Sequence, residues 1–109
     1  ADDSKLLNAF YDAPMVITLF APKNFLFSVD DCAVAAENMM LMADSLGIGS
    51  CYIGQGWTAF VDPYGQDVLR QWEIPVTHYA VMQLILGYPR EEDRHPSAKP
   101  RKERRVLRF

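Results

Sequence analysis

The pattern of apolar and polar positions divides the chain into six segments and a tail. Residues 4–11 read as a short helix capped by Ser4. It stops at Asp12-Ala13-Pro14, because the ring of Pro14 disfavours helix at Ala13. Met15-Val16-Ile17-Thr18-Leu19-Phe20 is an almost unbroken apolar run rich in β-branched residues. It predicts a strand covered on both faces and ended by Pro22. Ser28, followed by Asp30 and Asp31, predicts a helix start, with a hydroxyl to cap and carboxylates in the first turn. The body of that helix runs from Cys32 to Leu46 and is rich in Ala, Met and Leu; Gly47 follows as a natural C′ residue. Ala33, Ala36, Met40 and Ala43 share one face, and Ala35, Met39, Met42 and Leu46 share another. A helix apolar on most sides is expected to be buried on most sides, here against a second chain or a missing segment.

Gly47 to Ser50 read as a turn, and Cys51-Tyr52-Ile53 as a short strand that ends at Gly54-Gln55-Gly56. Residues 57–63 read as loop, and Asp62-Pro63 leads into a helix over Tyr64–Trp72 with Val68, Leu69 and Trp72 on its apolar face. Ile74-Pro75 ends that helix. His78 to Leu86 form a second long strand, and Gly87-Tyr88-Pro89 turn the chain out. Residues 90–105 read as an extended arm, with Val106 to Phe109 apolar enough to dock. The order of elements fits a mixed α+β or α/β layer fold. Three strands are few, since sheets most often hold about four to six.

Composition narrows the class without changing the layout. At 109 residues, 50% apolar and 23% charged, the chain reads as one globular domain and not as a disordered segment. No apolar run approaches the roughly 20 residues that span a bilayer, and Asp2 and Asp3 stand where a secretory signal would be basic. The net charge of −3 is unevenly spread. Residues 90–109 hold eight basic and four acidic side chains, a local net of +4, against −7 for residues 1–89. The tail is therefore an attractive seat for an anion. Cys32 and Cys51 have neither metal nor redox spacing and read as reduced, buried and cytosolic.

Two stretches are candidates for chemistry. Leu46 to Gly56 carries four glycines, which let a flat or anionic ligand approach the backbone. The plainer reading is a helix cap, a tight turn and a strand end, and no dinucleotide fingerprint or phosphate loop is present. Lys99-Pro100-Arg101-Lys102 sets cations on both sides of a proline, where two can grip one phosphate; the plainer reading is a solvated tail. The acidic body argues against nucleic acid as the anion. His78 and His95 have no neighbours that make a metal site or triad, and Asp30 and Asp31 are explained by the helix start. Met39, Met40 and Met42 read as filler, and Tyr52, Trp57 and Tyr88 serve either packing or ring stacking. No catalytic side chain and no metal ligand set is assigned.

Five stretches occur in the order seen in one enzyme family: Asp12 to Ile17, Asp31 to Ala43, Leu46 to Gly54, Leu86 to Pro89, and Lys99-Pro100-Arg101. Together they resemble the C-terminal half of the nitroreductase-like FMN-dependent oxidoreductases. The resemblance implies an α+β fold with a mixed sheet and flanking helices, incomplete in this chain. Residues 1–89 would form the C-terminal half of the core and residues 90–109 a basic arm. It also implies an intimate homodimer, or a separate N-terminal half as partner, with helix 29–46 near the interface and FMN bound there. Tyr52, Ile53, Gly54 and Gln55 match the segment beside the flavin, with a backbone N–H near Gly54 facing N5, the atom that accepts hydride. Lys99 and Arg101 match residues that hold the FMN phosphate. The family's N-terminal basic cluster has no counterpart here, and Gln55 stands where a glycine or acidic residue is common. The implied activity is reduction of a small-molecule acceptor (nitro, quinone or flavin-type) by a cytoplasmic enzyme with NAD(P)H as co-substrate, without nucleic acid or membrane. The alternative is a non-catalytic or partner-dependent fragment that dimerises and binds flavin weakly or not at all.

Overall fold

The longest apolar strand takes the centre of the sheet. The computed structural model describes residues 10–93 and 97–109. Within them, β1 (Met15–Pro22), β2 (Gly49–Ile53) and β3 (His78–Gly87) form one sheet in the order β1-β3-β2. Of the helix expected over 4–11, only Phe10 and Tyr11 fall among these residues, and they lie in a turn.

Both strand pairings are antiparallel, so the α+β class holds while the expected mixed sheet is corrected. The reason lies in the connections. Helix α1 (Ser28–Ser45) is a crossover that returns the chain parallel to β1, but with one strand position left between them. The vacant position is filled by β3 running the other way, and single-strand patterns do not encode that insertion.

Cross-strand partners share a face of the sheet. Leu84 lies between Ile17 and Tyr52, and Met82 lies opposite Leu19. This face receives α1 through Cys32, Ala36 and Met40, and Met82, Leu84 and Ala36 are fully buried there. A bulge between Leu19 and Phe20 shifts the register, so that Phe20 pairs with Ala80. Phe20 then packs on a second cluster of Phe60, Val68 and Ala80. Its ring lies 6.2 Å from that of Phe60, which meets Trp72 edge-on at 5.9 Å.

Local signals hold at most element ends. Asp30 and Asp31 occupy the first turn of α1, and Gly47 follows its end in the left-handed region at φ 75°. Ser28 does not cap. Phe27 takes that position, and the Ser28 hydroxyl donates to the Pro22 carbonyl at 2.7 Å, tying the helix start to the end of β1. Helix α2 (Pro63–Gln71) is capped by Asp62, which accepts the Gly65 N–H at 2.7 Å, with Pro63 in its first turn. The expected loop before it contains a 3-10 turn over Gly56–Phe60.

Gly65 packs α2 onto that turn. A Cβ on it would stand 2.2 Å from the Ala59 carbonyl oxygen and 2.5 Å from the Phe60 Cα. Both are main-chain atoms that cannot swing aside. Glycine to alanine inside a helix ordinarily stabilises by about 1 kcal/mol. Here Gly65→Ala is expected to destabilise by about 1–3 kcal/mol through overpacking. Thermal unfolding checks the sign, and a raised midpoint would contradict this packing.

Burial departs from expectation at β1, at Cys51 and at the tail, while the exposed side of α1 is the face expected to meet a second chain or a missing segment. β1 is an edge strand, with Met15 exposed and Val16 to Phe20 half-buried, so it is not covered on both faces. α1 buries only Ser28, Cys32, Ala36 and Ala43, leaving Val34, Leu41, Met42 and Leu46 more than 60% exposed. Cys32 is buried but Cys51 is exposed, because it lies on the open face of an edge strand; both thiols are free. Val106, Leu107 and Phe109 are exposed and do not dock. No helix among the described residues is long and apolar enough to cross a membrane.

Candidate functional site

The strand end at residues 52–55 presents open main chain. Tyr52 and Ile53 close β2, and Gly54 and Gln55 turn the chain into the 3-10 segment. Tyr52 is partly exposed, and Gly54 and Gln55 are exposed. A Cβ on Gly54 would meet only the Tyr52 ring, at 3.8 Å. A flat ligand can therefore approach the Gly54 backbone with an aromatic side chain beside it. The turn is held by local hydrogen bonds: the Gln55 carbonyl accepts the Thr58 N–H at 3.1 Å and the Thr58 hydroxyl at 2.8 Å.

Lys99 and Arg101 lie on the exposed arm, which has no regular structure from Ser97 onward except a turn at Glu103-Arg104. They share a hollow of about 690 Å³ with Lys102, Arg104 and Arg105. No ion pair to any of these five appears among the described residues; Arg90 is the arm cation that is paired, with Asp93 at 3.0 Å. Five cations around one concavity give it a positive local field. The hollow is built from arm residues alone, so within one chain it is not brought together with Tyr52–Gln55. Lys102, Arg104 and Arg105 add to the two cations singled out from the sequence; the local net charge was the signal for them.

The remaining candidates resolve simply. Asp30 and Asp31 serve the helix start. The Cys32 thiol is pushed above its ordinary value, first by burial and then by the charge of Asp31, so it is not a ready nucleophile. His78 stands 3.0 Å from the Thr77 hydroxyl at the entry to β3. His95 lies outside the described residues. No cluster of metal-ligating side chains occurs among the described residues. Trp57 lines a cavity of about 450 Å³ with Phe60, Ile74 and Tyr79, rimmed by Lys23, Arg70 and His78. Tyr88 lines a shallower hollow beside Gly49, Cys51 and Pro14.

One residue escaped the sequence reading. Gln83 is fully buried at the centre of β3, paired across to Thr18 on one side and Ile53 on the other. Neither its amide nitrogen nor its amide oxygen has a hydrogen-bond partner among the described residues. Such a group costs about 1–3 kcal/mol relative to a satisfied one. The available signal was a lone amide between Met82 and Leu84 in an otherwise apolar strand.

With this geometry in view, the comparisons with known proteins are direct. The nitroreductase family model matches residues 2–88. The chain belongs to the nitroreductase family. A crystal structure of a nitroreductase with bound FMN from Bacteroides fragilis superposes with a TM-score of 0.78 at 32% identity, over 93% of this chain and 54% of the other. A putative NADH oxidase from Clostridium acetobutylicum gives 0.67 at 22% identity, over 95% and 66%. An FMN-dependent nitroreductase from Clostridium difficile gives 0.61 at 22%, over 94% and 64%. The two more distant structures support the fold alone. The chain spans 54–66% of the length of these three nitroreductase-like structures. No match was found among curated proteins.

Proposed function

We propose that this nitroreductase-family chain serves an FMN-dependent oxidoreductase that uses NAD(P)H to reduce nitro, quinone or flavin-type acceptors. FMN, when bound, supplies the redox-active ring; the protein supplies position and charge. The observation that carries the reading is the open main chain at Gly54, flanked by the Tyr52 ring and followed by Gln55, whose carbonyl is held by Thr58. In this role the Gly54 backbone would donate to the ring edge, and Ile53 and Gln55 would flank it. Lys99 and Arg101, both without ion-pair partners among the described residues, would hold the phosphate.

The working unit is a cytoplasmic homodimer. The apolar side chains exposed on α1 support a second copy packed against that helix. The free thiols suit a reducing compartment. Because none of Tyr52–Gln55 lines the arm hollow, a dimer site would take the strand end from one copy and the hollow from the other. That same separation, with the chain's span of 54% of the FMN-bound relative, favours a second reading: a fragment that needs a partner half to hold flavin.

Titration of FMN with the purified chain tests the reading. Quenched flavin fluorescence and a protein-bound visible spectrum are expected, followed by NAD(P)H oxidation when a quinone is added. A chain that stays colourless in excess FMN would leave the partner-dependent reading in place.

A further inference from the structure

Gln83 and Gly56 form a contact that backbone conformation does not explain. Gly56 is buried, and among glycines only Gly47 has a positive φ, so Gly56 is not required for backbone freedom. It is required for space. The position of a Cβ on Gly56 lies 1.7 Å from Gln83 Oε1 and 2.7 Å from the Phe10 ring. That position is one carbon–carbon bond from the Gly56 Cα, so the Cα lies within about 3.2 Å of Oε1 with a C–H directed at it. The main chain at residue 56 therefore rests on the Gln83 amide.

A filler at the centre of an apolar strand would be Leu, Ile or Met, as at positions 82, 84 and 85. An amide without conventional hydrogen bonds is worse for stability than any of these. Groups kept against stability are expected where they serve a site. Gln83 also lies directly opposite Ile53, one residue before the open backbone at Gly54.

We propose that Gln83 is a positioning residue whose amide, seated against the Cα of Gly56, fixes the 54–56 turn that presents its main chain to the flavin. The inference rests on the functional reading above. It adds a residue that touches no ligand and acts through Gly56. The amide oxygen orients the turn through the Gly56 C–H, and Phe10 closes the remaining side. The paired glycine and glutamine thus set the height of the turn above the sheet.

The test uses the 109-residue chain with Gln83→Met, which keeps an unbranched side chain of similar length and removes the amide. Its thermal midpoint is expected to equal or exceed that of the wild type, since an apolar group replaces an unsatisfied one. Backbone amides of residues 54–57 are expected to exchange about three- to tenfold faster, with β3 protection unchanged. FMN affinity is expected to fall about tenfold, with a shifted flavin absorption band. Unchanged exchange at 54–57 would overturn the proposal. So would loss of folding in the variant, which would assign Gln83 to stability alone, or faster exchange with unaltered FMN affinity. A wild-type chain that takes up no FMN sinks the functional reading instead, while the exchange comparison still decides whether Gln83 fixes the turn.

Discussion

Truncation of Leu84 to alanine is expected to lower the free energy of unfolding by about 2–5 kcal/mol. Leu84 is fully buried at the centre of β3, with Ile17 and Tyr52 beside it across both strand pairings and α1 packed over the same face. Among the described residues of the buried core, Leu84 alone pairs across both ladders on the face that receives α1. The cavity left by the lost side-chain carbons cannot collapse easily, because the neighbouring strands are held by their ladders. A small domain has about 5–15 kcal/mol to lose, so the variant approaches the threshold of folding. Urea unfolding followed by circular dichroism measures the shift. A loss below about 1 kcal/mol would show that this face is not the main core.

The second large effect is on binding. Replacing both Lys99 and Arg101 with alanine is expected to weaken FMN about 30- to 100-fold, since charged hydrogen bonds to phosphate contribute about 1.5–3 kcal/mol each before screening. Wild-type affinity should fall with added salt, and the double variant should lose part of that dependence. The thermal midpoint without flavin should not move, because both side chains are exposed on the arm. Lys102, Arg104 and Arg105 line the same hollow and keep the loss from being total. Riboflavin, which lacks the phosphate, serves as the control: its affinity should be the same for both proteins. Equal FMN affinities for wild type and variant would remove the arm from the site.

The elements that the sequence made legible are those set by local chemistry. The carboxylates of Asp30 and Asp31, the left-handed Gly47 and the Asp62-Pro63 start each act within one or two turns, and each appears where the pattern placed it. The long apolar strand over His78–Leu86 extends by one residue to Gly87. What stayed hidden depends on partners distant in the chain. The insertion of β3 between β1 and β2 made the sheet antiparallel. The bulge that turns Phe20 toward Phe60 follows from that pairing. Ser28 looked like a cap, but the nearby Pro22 carbonyl offered its hydroxyl a different partner. Cys51 read as buried because a strand period cannot say which face is covered.

The candidate site divides in the same manner. The glycines of 47–56 and the cations of the arm were visible as composition, and the family match covers the glycines but ends at residue 88, before the arm. Their relation in space was not visible, and within one chain the arm hollow is lined by arm residues alone. Gln83 is not legible in the pattern because an apolar run is read by its majority; the structure shows its amide buried against Gly56 with no hydrogen-bond partner among the described residues.

The most direct measurement is a titration of FMN into isotopically labelled chain, following each backbone amide by NMR. Flavin seated as proposed gives its largest shifts at Tyr52–Gln55 and, in the same titration, at Lys99 and Arg101. Shifts confined to the cavity lined by Trp57, Phe60 and Tyr79, or to neither region, would contradict it.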